Sequence, residues 1–234
     1  MRLFLISASA LMLAACAPAA EAPAATEAAP AEAAATEAAP VAEVAYGKAA
    51  TYKIDPTHAS ITWRVNHFGL AKYTARFTTF DATLMFNPAD VAANSVEVTI
   101  DPASVETDYP GDYKAGHADS PYASWNEDMA KNPQWFNAGA HPQITFKSTS
   151  AVQSSPSTGT VTGDLTFLGA TRPVTLDVTY NGVAQMPWAP DQDKIGFSAR
   201  TTLKRSDFGM GAYIPNIADE VEIIIEAEFA EVAG

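Results

Sequence analysis

From Gly163 to Val178 the chain reads Gly-Asp-Leu-Thr-Phe-Leu-Gly-Ala-Thr-Arg-Pro-Val-Thr-Leu-Asp-Val, two runs of alternating apolar and polar residues around a short turn containing Gly169 and Pro173. Successive side chains of a strand point to opposite faces. One face therefore carries Val161, Gly163, Leu165 and Phe167, and the returning run carries Val174, Leu176, Val178 and Tyr180. An antiparallel hairpin with one dry face has to bury it. The same alternation recurs through most of the chain and no long helix offers a second layer. The pattern thus predicts an all-β fold whose strands close into one antiparallel barrel.

Working outward, a first long strand is expected from about Tyr52 to Phe68, with Ile61, Trp63, Val65 and His67 facing inward. A second begins near Tyr73 and carries Phe80, Ala82, Leu84 and Phe86 on one face. Phe77 is out of phase with that set, as at a β-bulge. Val96, Val98 and Ile100 mark the next strand, Ile144 and Phe146 another, and Ile195, Phe197, Ala199, Thr201 and Leu203 another. In the last, Val221, Ile223, Ile225, Ala227 and Phe229 face in, while Glu220, Glu222, Glu226 and Glu228 face water. Between Asp108 and Phe136 the alternation stops and aromatic residues gather. A helix is expected from Tyr122 to Lys131, ended by Asn132-Pro133, in a segment that covers one end of the barrel.

The N-terminus reads as a processing signal. Arg2 precedes the apolar run Leu3 to Leu13, and an apolar run of about ten residues is too short to cross a bilayer. The run ends in Leu13-Ala14-Ala15-Cys16, similar to a bacterial lipobox, and Cys16 is the only cysteine of the chain. Residues 1–15 are accordingly expected to be a signal peptide, with Cys16 the lipidated residue and membrane anchor. Ala17 after the cysteine favours the outer membrane by resemblance to enterobacterial sorting. Residues 16–45 are almost wholly Ala, Pro, Glu and Thr, a composition that builds no core. They form a tether expected to reach roughly 30 Å as a coil and up to roughly 90 Å if fully polyproline-like.

Residues 46–234 form one barrel domain. Setting aside Arg2 and the five tether glutamates leaves 13 basic and 22 acidic residues there, a formal charge of −9 within the −13 of the whole chain. That balance argues against nucleic acid as a partner. No Gly-x-Ser-x-Gly elbow, paired-histidine zinc spacing, P-loop or dinucleotide fingerprint occurs, so neither an enzyme nor a bound metal or cofactor is expected. His67 is either a core histidine or the one residue placed for chemistry. Arg205 and Asp207 either orient a head group or lock a bend.

Four motifs in order carry a family resemblance. They are Ile54-Asp55 and His58 before Ile61, Trp63, Val65, His67 and Gly69; Pro142 to Ser148 after Trp135-Phe136; Gly163-Asp164-Leu165-Thr166 running to Pro173-Val174; and Arg205-Ser206-Asp207-Phe208-Gly209 followed by Asp219-Glu220-Val221. From about Tyr52 to Phe229 the chain resembles the YceI-like family of bacterial secreted lipid-binding proteins. The resemblance implies an extended, lipocalin-like, eight-stranded antiparallel barrel whose elongated pocket holds a polyisoprenoid lipid or the tail of an isoprenoid quinone. The chain departs from many relatives in its lipobox and tether, and in lacking a histidine within Trp125 to Met129.

An isoprenoid tail asks for a long dry tunnel, and each buried methylene contributes about 0.8 kcal/mol before ordering costs. The candidate tunnel residues are Trp63, Val65, Phe80, Leu84, Phe146, Leu165, Phe167 and Phe197, with Trp125, Met129, Trp135 and Phe136 near the cover. Each is equally open to a structural role, because small barrels fill much of their interior with side chains. His67, Arg205 and Asp207 are the candidates for a head group or mouth. The expected function is non-enzymatic binding, storage or transport of isoprenoid lipid in the envelope of a Gram-negative-type bacterium. The alternative is a stress-associated structural lipoprotein that docks a partner protein and keeps lipid only as filler.

Overall fold

The structure is a computed structural model and describes residues 43–232; Cys16 and most of the tether lie outside the described residues. Ten strands follow one another: β1 Ala50–His67, β2 Ala71–Phe77, β3 Phe80–Phe86, β4 Ser95–Ile100, β5 Val105–Glu106, β6 Ile144–Gln153, β7 Thr158–Phe167, β8 Ala170–Met186, β9 Ala189–Lys204 and β10 Ile217–Glu231. Between β5 and β6 lie two short helices, α1 Tyr113–Gly116 and α2 Trp125–Lys131. Every pairing is antiparallel, in the order β10-β9-β8-β7-β6-β4-β3-β1, and β10 returns to β1 to close eight strands into a barrel. β2 pairs with the far half of β1, from Ile61 to His67, and β5 pairs with β2.

The opening hairpin is β7 and β8, in register with Val161 opposite Leu176 and Gly163 opposite Val174. Its turn is two residues long, with Leu168 and Gly169 both left-handed at φ 48° and 76°, the backbone that glycine adopts without strain and that matches strand twist. Pro173 is not part of the turn in which the sequence reading places it. It lies inside β8 opposite Asp164. Gly163 is needed for room, since a Cβ there would stand 2.6 Å from the carbonyl oxygen of Lys147 and 2.5 Å from the Phe146 ring.

Two local expectations are corrected. The phase change after Phe77 is a strand break, not a bulge. β2 ends at Phe77, and Thr78 and Thr79 turn the chain and bond to the segment after β4, through Thr78 N–H to the Ser104 carbonyl (3.1 Å) and Asp101 N–H to the Thr79 carbonyl (3.0 Å). β3 then pairs with the opening residues of β1, from Ala50 to Lys53. The helix predicted from Tyr122 starts only at Trp125, because the Ser124 hydroxyl caps it by accepting from the Glu127 N–H (3.1 Å) and Ser124 is itself extended. The real irregularity of β1 lies elsewhere: Ile54 faces Phe229 but Ala59 faces Ala227, so Asp55 to His58 bow outward.

The interior divides into two clusters along the barrel axis. One gathers Ile61, Trp63, Val65, Phe77, Met129, Trp135, Phe136, Ile144, Phe167 and Phe208 at the end where β1 finishes. The other gathers Tyr52, Ala82, Leu84, Phe86, Tyr180, Ile195, Ala227 and Phe229 at the end where β1 begins. We call these the mouth half and the floor half.

Candidate ligand-binding site

A cavity of about 570 Å³ occupies the mouth half. Its wall is made by inward residues of successive strands: Ile61, Trp63 and Val65 of β1, Val98 and Ile100 of β4, Phe146 of β6, Leu165 and Phe167 of β7, Val174 and Leu176 of β8, Leu203 of β9, and Val221, Ile223 and Ile225 of β10. The connection between β5 and β6 supplies the cover, with Trp125, Met129, Trp135 and Phe136. Phe136 packs edge-on to Trp63 and Phe77, with centroids 5.9 and 5.2 Å away, and so anchors the cover to the barrel. Trp125 donates its indole N–H to the Tyr73 hydroxyl at 2.8 Å. Burial pushes the Tyr73 phenol up, so it stays a neutral hydroxyl. The Trp63 indole N–H is buried in the wall with no hydrogen-bond partner among the described residues.

The exposed members of the lining, His67, Phe68, His117, Gln134 and Tyr213, mark the mouth. His67 keeps the inward phase of β1 but is exposed as the last residue of that strand, with its ring edge-on to Phe68. It is therefore a rim residue rather than a core histidine. His117 stacks on Tyr113 with centroids 4.4 Å apart, and its Nδ1 lies 3.0 Å from the Tyr113 carbonyl oxygen. Below the rim Asp128 is buried, accepting from the Tyr113 hydroxyl and from Asn132 Nδ2 at 2.8 Å. Burial first, and then the Asp128 contact, raise the Tyr113 phenol above its ordinary value.

Arg205 and Asp207 do not form a pair. Arg205 is 3% exposed, and its guanidinium donates to four backbone carbonyls: Ala218 from Nε (2.9 Å), Met210 from Nη1 (3.0 Å), and Ala212 and Ile217 from Nη2 (2.7 and 2.8 Å). Burial lowers its pKa, opposed by the nearby Asp219 carboxylate. Four of the five N–H donors are thus spent on carbonyls of the segment from Met210 to Ala218. Asp207 is exposed and does not line the cavity, because the tight turn Arg205–Phe208 sends the two side chains to opposite sides. Asp219 instead ties the turn down, accepting from the Ser206 N–H and hydroxyl.

Of the candidate tunnel residues, Trp63, Val65, Trp125, Met129, Trp135, Phe136, Phe146, Leu165 and Phe167 line the cavity, and Phe80, Leu84 and Phe197 do not. Phe80 packs against the mouth cluster from behind, at the strand break. Leu84 and Phe197 belong to the floor half and border a separate cleft of about 120 Å³. Alternation placed all three indoors correctly but carries no information on depth. Sequence reasoning missed Tyr73 of β2, Asp128 of α2, and His117, Asn132, Gln134 and Tyr213, the last four on irregular segments where no period exists to read.

Outside the cavity, Asp55, His58 and Glu228 approach one another closely enough to hold a cation. The Lys194 ammonium already sits there, 2.6 Å from Asp55 and 3.4 Å from Glu228, and makes the cluster an ion-pair network. It straps the outward bow of β1 to β9 and β10.

A closed antiparallel barrel with one deep apolar cavity and a covered mouth is a lipocalin-like architecture. The chain belongs to the YceI-like family, whose model matches residues 52–229. It is 34% identical over 182 residues to the YceI protein of Escherichia coli O157:H7, covering 77% of this chain and 86% of that protein. Among solved structures it is similar to Burkholderia cenocepacia BcnA, with a TM-score of 0.59 and 27% identity over 75% of this chain and 98% of that one. A polyisoprenoid binding domain from Saccharophagus degradans shares the fold at a TM-score of 0.52 and 13% identity, over 78% of this chain and 98% of that domain.

Proposed function

We propose that this protein is a non-enzymatic binding protein for polyisoprenoid lipid, with an isoprenoid quinone the best-matched ligand. The observation that carries the reading is the 570 Å³ cavity, walled by aliphatic and aromatic side chains and open at one covered end. Its few polar groups suit an uncharged head. Arg205 is committed to carbonyls, Asp128 would repel an anion, and the exposed lining offers only His67, His117, Gln134 and the Tyr213 hydroxyl for hydrogen bonds. The polyisoprenoid binding domain of Saccharophagus degradans, which shares the fold, supports the same ligand class.

On this reading Cys16 is acylated and holds the barrel at the outer membrane, facing the periplasm. Lipid extraction and mass spectrometry of the purified protein test the ligand. A stoichiometric isoprenoid is the expected result, and a barrel that is empty or filled with mixed lipids would favour the scaffold reading. Fatty-acid labelling of Cys16→Ser, compared with wild type, tests the anchor; loss of label and release from the membrane fraction are expected.

A further inference from the structure

We propose that the aromatic packing of the floor half is a stop, so that this barrel selects isoprenoid tails short enough to end at the level of Ile225. The proposal rests on the lipid-binding reading above and adds a length specificity to it. On β10 the lining ends at Ile225, and the next inward residues, Ala227 and Phe229, belong to the floor cluster. On β9 Thr201 lines the cavity, whereas Ala199 and Phe197 do not. On β1 the lining stops at Ile61. Only the stretch from Ile61 to His67, roughly 20 Å of an 18-residue strand, is available to a ligand.

Directly below that level the rings interlock. Phe197 meets Tyr180 at 5.3 Å, Phe86 at 6.1 Å and Phe229 at 6.1 Å between centroids, and Phe86 stacks on Tyr180 at 5.8 Å. The small cleft on the floor side borders Phe86, Tyr180 and Phe197 and shares no lining residue with the mouth cavity. The rings therefore stand between two spaces. A tail gains affinity with each carbon placed in dry space. A unit that reaches the rings must displace side chains already packed at interior density.

The test uses the full chain and a series of ubiquinone analogues with one head group and a tail lengthened one isoprene unit at a time. In wild type the affinity is expected to tighten by about tenfold or more per unit up to a ceiling, then to stay level or fall. Phe197→Leu, which shortens the stop, should move the ceiling to a longer tail. Ala199→Leu, which adds bulk beside Ile225, should move it to a shorter one, and this variant carries the test if the first does not fold. Affinity that keeps rising to the longest tail, or a ceiling moved by neither substitution, overturns the stop while leaving lipid binding intact. Absence of binding at every length overturns the lipid-binding reading itself.

Discussion

The mouth half and the floor half share β1, β8, β9 and β10 and the same alternation, yet one encloses a cavity of about 570 Å³ and the other is filled by rings that leave only a cleft of about 120 Å³. The difference lies in where the large rings come from. In the mouth half the strands contribute mostly aliphatic residues, while Trp125, Trp135 and Phe136 arrive from the connection and roof the space. In the floor half the strands themselves carry Tyr52, Phe86, Tyr180, Phe197 and Phe229, which meet at the axis. The segment before β1 completes the closure. Tyr46 stacks on Tyr180 at 5.3 Å, the Gly47 N–H donates to the Tyr180 hydroxyl at 3.0 Å, and the Lys48 N–H donates to Asp193 Oδ2 at 2.8 Å. Burial, helped by the nearby Asp193 carboxylate, pushes the Tyr52 phenol up to about 12. The lesson is that a barrel's strand number permits a cavity, and ring placement along the axis decides where it is.

If the floor is the stabilising half, truncation there should be the most damaging. Phe86→Ala is expected to cost about 3–5 kcal/mol in urea unfolding, since its ring contacts Tyr52, Tyr180 and Phe197. Arg205→Met should cost about 2–4 kcal/mol by leaving buried carbonyls unpaired and should loosen the mouth loop, whereas Asp207→Ala should change stability by less than about 0.5 kcal/mol.

Asp55→Asn should cost about 1–2 kcal/mol at neutral pH. The Lys194 ammonium first, then Thr57 and His58, hold the Asp55 carboxyl well below the usual carboxylate range. Its folded value is lowered, so its contribution is complete above about pH 4 and is lost as pH falls through the folded value. The variant's acid-unfolding curve should accordingly be flatter than that of wild type. Among the interior positions the smallest cost falls on Leu165→Ala in the cavity wall, at less than about 1.5 kcal/mol, because one side of Leu165 faces open space rather than packed neighbours. The same change should weaken quinone binding by about tenfold, a split that a floor residue would not give.

The alternation in residues 163–178 and 217–231 made the barrel legible, because a period of two survives any local context. Four features were not legible, each for a physical reason. The break after Phe77 mimics a bulge in sequence, since both shift phase by one residue. α1 and β5 are too short to show a period. The depth of Phe80, Leu84 and Phe197 is not encoded by alternation, which separates inside from outside and nothing else. The turning-in of Arg205 depends on carbonyls offered by a loop five to thirteen residues away, so charge alone pointed to the wrong partner.

The central claim is that an isoprenoid tail lies in the mouth half with its end near Ile225. A ubiquinone analogue with a photoreactive group at the end of its tail, bound to the full chain, irradiated and mapped by peptide mass spectrometry, tests this directly. Adducts on peptides containing Ile61, Val98, Leu176 or Ile225 are the predicted result; adducts concentrated on Tyr52, Phe86 or Tyr180, or scattered over the outer surface, would contradict it.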